Sequence, residues 1–328
     1  MKVILITGVA GFIGSRLAEL ILSSPEEVLK NCLIIGLDKL GYSGRLENIQ
    51  NLRKHHRFCF IQGDITNPEL VKTIYKDHNI DTTLNVAAES HVDKSINDPL
   101  IFIHSNVLGT ATLLEAHIHA GADRFLQVST DEVYGSIHAG SWDENYNLSP
   151  RSPYSASKSS ADLLVQAFHF TYGLNSVITR CCNNYGPRQF PEKIIPLFIT
   201  NLLTNKKIPL YGDGSNRREW IHVDDHCYGI ISALLRGVSG RIHHVAGEFE
   251  LSNRELAELI CLLMRKNFLE VVRFVEDRKG HDFRYSLDDK WTQSVLGSRK
   301  QINFYDGLRD TIDWYTNNIE WWKPLTRN

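Results

Sequence analysis

The chain has 328 residues, 36 Lys and Arg against 38 Asp and Glu, a net charge of −2, and 42% hydrophobic and 23% charged residues. That composition is ordinary for a folded chain of about two domain-sized units, and it excludes disorder, collagen-like repeats and coiled coil. Balanced charge without a run of five like residues lacks the electrostatic footprint of a nucleic-acid or membrane-surface binder, so the expected ligand is small.

The first apolar run, residues 3–6, is too short for a signal-peptide core, and the longest, residues 259–264, is too short to span a bilayer. The six cysteines (Cys32, Cys59, Cys181, Cys182, Cys227, Cys261) include no Cys-x-x-Cys pair and are too scattered for a disulfide framework, which points to a reducing cytosol. Runs rich in Val, Ile and Leu at 3–6, 33–37, 58–61, 83–86, 125–128 and 177–179 alternate with segments of helical period at 13–23, 68–77, 99–120 and 153–172. Alternation of this kind implies right-handed crossovers and a parallel sheet with helices on both faces. After about residue 180 the pattern turns irregular, with Gly and Pro at Tyr185-Gly186-Pro187, Pro191, Pro196, Pro209 and Gly212-Asp213-Gly214. That is loop chemistry suited to a substrate-covering lobe.

Residues 3–6 run into Gly8-Val9-Ala10-Gly11-Phe12-Ile13-Gly14. Glycines at this spacing allow a tight turn and let the backbone approach a pyrophosphate at the N-terminus of the following helix. No Gly-Lys-Ser/Thr follows, which excludes a P-loop. Asp38 ends the second strand, 24 residues past Gly14, where an acidic group meets an adenosine ribose and selects NAD over NADP. Asp64 and Ile65, after the third strand, are placed to bracket the adenine.

Further along, Thr130 ends a strand and is followed by Asp131 and Glu132, a carboxyl pair suited to proton transfer. Tyr154 and Lys158 lie four residues apart on one face of a helix that opens with Ser152 as N-cap and Pro153 at its first position. The ammonium is expected to pull the phenol pKa down toward that of a useful base. Tyr-x-x-x-Lys recurs by chance in many helices, but joined to the glycine loop it is specific.

With these motifs the chain resembles the extended short-chain dehydrogenases/reductases. The run Val128-Ser129-Thr130-Asp131-Glu132-Val133-Tyr134-Gly135 resembles their nucleotide-sugar 4,6-dehydratases, above all those acting on dTDP-glucose. VAAESHVDKS from Val86, RCCNNYGP from Arg180, PEKIIP from Pro191, YGDGSNRREW from Tyr211 and DRKGHDFRY from Asp277 extend the likeness over nearly the whole chain.

The resemblance implies an α/β fold: a Rossmann-type doubly wound parallel sheet in residues 1–180, rejoined by about 220–245, with a smaller mixed α/β lobe, mainly 181–328, for the nucleotide sugar. It implies bound NAD held by Gly8, Gly11, Phe12, Ile13, Gly14, Asp38, Asp64, Ile65, Ala87, Ala88, Ser105, Tyr154 and Lys158. Thr130 then holds the substrate hydroxyl, Tyr154 takes the C4 proton, Glu132 removes the C5 proton and protonated Asp131 donates to the leaving C6 oxygen. Ser90 and Asn184 resemble sugar contacts, Lys193 lies under the sugar and diphosphate, and Arg218 and Arg278 resemble diphosphate ligands. Relatives pair the 99–120 and 153–172 helices in a homodimer, and the product serves deoxysugar biosynthesis. His243-His244-Val245-Ala246-Gly247 stands where many relatives have Tyr-Asn-Ile-Gly-Gly, so a contact from that Asn is not inherited.

The fourteen histidines contain no metal-ligand spacing, and no metal is expected; His91 reads as a structural or supporting residue near the nicotinamide. The alternatives are an NAD-dependent UDP-sugar epimerase or decarboxylase, against which the Asp131-Glu132 pair argues, and a non-catalytic dinucleotide binder, against which intact Tyr154 and Lys158 argue. Uridine, thymidine and cytidine substrates are not distinguished by these motifs.

Overall fold

The computed structural model describes residues 2–297 and 302–326. In chain order its strands are β1 (Val3–Thr7), β2 (Leu33–Asp38), β3 (Phe58–Gln62), β4 (Thr82–Asn85), β5 (Arg124–Thr130), β6 (Asn175–Cys181), β7 (Asn183–Tyr185), β8 (Ile208–Tyr211), β9 (Arg217–His222), β10 (Arg241–Val245), β11 (Phe249–Ser252) and β12 (Val272–Val275). Seven form one sheet in the order β10-β6-β5-β4-β1-β2-β3, every pair parallel. The unbroken apolar run of β1 suits such a sheet, because helices cover both faces and neither side of the strand meets water. On one face Leu17 and Ile21 of the Phe12–Leu22 helix pack with Cys227, Ile230 and Leu234 of the Val223–Arg236 helix. On the other, the Pro68–His78, Gly109–His119 and Pro153–Tyr172 helices bury Val71, Ile74, Leu113, Leu114 and Val165.

Local chemistry sets the bounds of the Pro153–Tyr172 helix. Ser152 Oγ accepts from the Ser155 N–H at 3.1 Å, Ser155 Oγ accepts from the Ser152 N–H at 3.0 Å, and Gly173 ends the helix at φ +70°.

One expectation is corrected. The 99–120 segment is not one regular helix: Pro99–Phe102 and Gly109–His119 are α-helical, and Ile103–Leu108 between them is a π-helix. One extra residue in that turn brings Ser105 to the cleft and lets Asn106 Nδ2 reach the Glu89 carbonyl at 3.0 Å and Ser157 Oγ at 2.9 Å. Beyond residue 180, where the sequence pattern is irregular, the chain builds the regular elements of a mixed α/β lobe. The sheet β11-β9-β7, the pair β12-β8 and the helices Ile194–Leu203, Asn253–Leu263 and Phe304–Asn317 enclose a second core around Tyr185, Phe198, Trp220, Leu256 and Phe304. Strands this short, punctuated by Gly and Pro, leave too few residues for a period to show.

Candidate active site

Strand order reverses between β1 and β4, and ligands of open α/β sheets bind in the crevice beyond the strand ends at such a point. A cavity of about 310 Å³ opens there, lined from Gly8, Gly14 and Asp38 to Tyr154, Asn184 and Trp220. The Thr7 hydroxyl donates to Asn85 Oδ1 at 2.7 Å and accepts from the N–H groups of Val86 and Ala87, fastening the end of β1 to the end of β4.

The glycine loop forms a cradle that side chains would fill. Gly8 sits at φ +68°, and a Cβ on it would lie 2.7 Å from Ala87 Cα; one on Gly14 would lie 2.2 Å from the Gly8 carbonyl oxygen. Gly11 caps the Phe12–Leu22 helix without any side chain, so the first amides of that helix are left to a ligand. Asp38 Oδ2 accepts from the Ala10 N–H at 2.9 Å and Oδ1 from the Leu40 N–H at 2.8 Å, which fixes the carboxylate at the rim of the loop. Phe12, Ile13, Asp64, Ile65, Ala87, Ala88 and Ser105 line the same cavity. This donor set fits a dinucleotide: bare amides for the pyrophosphate, a carboxylate for ribose hydroxyls, apolar walls for rings.

Catalytic candidates converge at the other end. Thr130 caps the turn Asp131–Tyr134, its hydroxyl accepting from the Glu132 N–H at 3.2 Å and donating to Asp131 Oδ1 at 3.1 Å. Burial, reinforced by Glu132 and Glu219, pushes the Asp131 carboxyl well above the usual carboxylate range. Its Oδ2 is buried without a hydrogen-bond partner. Burial also raises Glu132, but Arg278, Lys193 and Arg218 oppose the rise. Both acids are therefore raised, but in different company: neighbouring carboxylates add to burial at Asp131, whereas three cations temper it at Glu132.

The expected lowering of the Tyr154 pKa by Lys158 is corrected. Burial, then Glu132, Cys181 and Asp131, hold the phenol well above its ordinary value. Burial also lowers Lys158, whose Nζ donates to the Val128 carbonyl at 2.7 Å.

Ser90, Asn184 and Lys193 line the cavity. Lys193 Nζ donates to the Ser90 carbonyl at 2.6 Å, and Asn184 Oδ1 meets His226 Nδ1 at 2.9 Å. Arg218 and Arg278 are not among the lining residues. The Arg218 guanidinium lies over the Tyr285 ring at 4.2 Å and donates to the carbonyls of Arg217, Asp282 and Phe283, while Arg278 faces Asp93 Oδ1 at 3.6 Å. His91 caps the Val92–Asn97 helix through Nδ1, and His244 is buried against the Tyr134 hydroxyl at 2.6 Å, so both are structural here. Sequence reasoning missed Tyr42, Phe190, Glu192 and Trp220 as lining residues. Phe190 and Glu192 flank the Pro191 from which one quoted motif starts, whereas Tyr42 lies in a loop with no period to betray it. Among the described residues no three His, Cys, Asp or Glu side chains are grouped to hold a metal ion, and no helix is long and apolar enough to cross a membrane.

The family profile described as GDP-mannose 4,6 dehydratase matches residues 5–311. A dTDP-glucose 4,6-dehydratase of Streptomyces antibioticus is 47% identical over 325 residues, covering 99% of this chain and 95% of that one. Among solved structures, the dTDP-glucose 4,6-dehydratase DesIV of Streptomyces venezuelae, with NAD bound, superposes with a TM-score of 0.97 at 48% identity, covering 99% of this chain and 100% of its own. The dTDP-glucose 4,6-dehydratase of Bacillus anthracis in complex with NAD gives a TM-score of 0.91 at 42% identity, with 99% and 100% covered. With the glycine cradle, the Asp131-Glu132 pair and Tyr154 in one cleft and the profile spanning nearly the whole chain, the protein belongs to the GDP-mannose 4,6 dehydratase family.

Proposed function

We propose that the chain is an NAD-dependent hydro-lyase that converts dTDP-glucose to dTDP-4-keto-6-deoxyglucose and water. The observation that carries this reading is the adjacent pair of Asp131, buried and raised further by carboxylates, and Glu132, half-buried and faced by three cations, beside Tyr154. Residues 1–180 with the 220–245 return would hold the cofactor, and 181–328 mainly the nucleotide sugar. NAD bound in the cradle supplies a reversible hydride acceptor and, in its oxidised ring, positive charge.

Tyr154, oriented by Thr130, takes the proton of the C4 hydroxyl as that carbon becomes a ketone. The ketone acidifies C5, and Glu132, kept ionisable by its three facing cations, removes the C5 proton. Asp131, neutral because it is desolvated among carboxylates, donates its proton to the C6 oxygen, which leaves as water. Glu132 then returns its proton to C5 as C6 is reduced. Tyr154 ends with one proton more and Asp131 with one fewer, a difference closed by exchange with solvent, so that only water is lost from the sugar.

Ser90 and Asn184 are placed for sugar hydroxyls, and Lys193 for the diphosphate. Arg218 and Arg278, the two guanidinium groups that bear on Glu132, would hold the diphosphate. Incubation with dTDP-, UDP- and CDP-glucose tests the reading: a 4-keto-6-deoxy product is expected from the dTDP sugar, and none from any of the three would overturn it. A homodimer through the 99–108 and Pro153–Tyr172 segments follows from the apolar Leu100, Ile103, Leu108, Leu163 and Phe170, all exposed. A monomer by light scattering at micromolar concentration would contradict it. The six free thiols suit a reducing cytosol.

A further inference from the structure

The loop after β2 does more than carry Asp38. Four residues on, Tyr42 meets partners distant in sequence. Its hydroxyl donates to Glu192 Oε1 at 2.9 Å, its ring meets Phe190 edge-on with centroids 5.5 Å apart, and Lys94 Nζ lies 4.5 Å from the ring centre. Glu192 Oε2 is met in turn by His91 Nε2 at 3.4 Å. Tyr42, Phe190 and Glu192 all line the cavity that holds the glycine cradle. The next residue, Lys193, donates to the Ser90 carbonyl and bears on Glu132. One side chain thus joins the loop beside Asp38 to the segment beside the catalytic acids.

We propose that Tyr42 is a positioning residue that latches the loop after β2 to the 190–193 segment and so retains the dinucleotide in the cleft from one turnover to the next. This inference rests on the NAD reading above. The proposed reaction takes a hydride from C4 and returns it to C6, so the cofactor never has to be exchanged, and every escape halts catalysis until another molecule binds. A tether across the cavity slows escape without obstructing a cycle in which only the sugar nucleotide comes and goes. Its strength lies in a hydrogen bond to a partly desolvated carboxylate and in two ring contacts, which must all break before the loop can swing away.

The experiment uses the chain as purified and after loading with NAD, together with Tyr42→Phe, which keeps the ring, and Tyr42→Ala, which removes it. Dinucleotide content after desalting is measured by chromatography of the released nucleotide, and exchange by the rate at which isotopically labelled NAD replaces the bound molecule. The wild-type chain is expected to retain NAD. Tyr42→Phe is expected to exchange it about 10-fold faster and Tyr42→Ala about 100-fold faster, the ratios set by one charge-assisted hydrogen bond and then by the ring contacts as well. Excess NAD should refill both variants. Exchange at the wild-type rate in both would overturn the latch while leaving the cofactor reading intact, as would variants that lose NAD and cannot be refilled, because that marks a collapsed site. A wild-type chain that neither carries nor takes up NAD would overturn the cofactor reading itself, and the latch with it.

Discussion

Asp131→Asn and Glu132→Gln should separate the elimination from the oxidation that precedes it. Asp131 is 2% exposed, and burial, then Glu132 and Glu219, push its carboxyl well above the usual range, which favours the neutral form that Asn replaces without a change of charge. Removing a positioned acid costs about 10²- to 10⁴-fold in turnover, or about 2.7–5.4 kcal/mol of barrier, while the hydroxyl chemistry at C4 is untouched. Glu132→Gln removes a base and also a negative charge that Arg278, Lys193 and Arg218 face. Those cations then bear more strongly on an anionic nucleotide, so kcat should fall by a similar factor while KM holds or decreases. Tyr154→Phe removes the base for the first step, so no ketone forms. Stopped-flow absorbance in the reduced-nicotinamide band, with single-turnover product analysis, resolves the three. Both carboxyl variants should show the absorbance rise without the 4-keto-6-deoxy product, and Tyr154→Phe should show neither. Equal loss of the rise in Tyr154→Phe and Glu132→Gln would refute the division of labour and favour an epimerase-like site with incidental acids.

Arg180→Leu should cost about 3–5 kcal/mol in urea unfolding, because Arg180 Nε pairs with Asp162 Oδ2 at 3.0 Å with both residues fully buried, and the lone carboxylate would stay behind; a loss under about 1 kcal/mol would contradict this. Gly14→Ala should abolish NAD retention, since its Cβ would press on the Gly8 carbonyl from 2.2 Å; stoichiometric dinucleotide after desalting would contradict it. Stability should fall on acidification below about pH 6.5. Burial lowers His117 and His243 to about 4 and His226 and His244 to about 3, so the unfolded chain takes up protons from pH 6.5 downward that the native chain refuses until pH 3 to 4. Each contributes up to about 1.4 kcal/mol per pH unit in that window, and a urea midpoint unchanged between pH 7 and pH 5 would refute it.

Sequence alone determined what neighbouring residues dictate. The glycine loop is legible because a turn, a close approach and a helix start lie within seven residues, and the Pro153–Tyr172 helix because Ser152, Pro153 and Gly173 punctuate it. Thr130, Asp131, Glu132, Tyr154 and Lys158 could be named because the strand end and the helix face that present them are local. Tertiary structure alone decided their protonation and company. Burial and the charges of Lys193, Arg218, Glu219 and Arg278, far along the chain, add to what Glu132 does to its neighbour Asp131, and burial of Tyr154 overrides the Lys158 that sequence spacing places beside it. The π turn at Ile103–Leu108 answers to Glu89 and Ser157, and Arg218 is captured by carbonyls of Asp282 and Phe283. Tyr42 and Glu192 meet across 150 residues. Backbone preference and amphipathic period act over one or two turns of chain, whereas desolvation and Coulomb fields depend on distance in space, which only the packed fold sets.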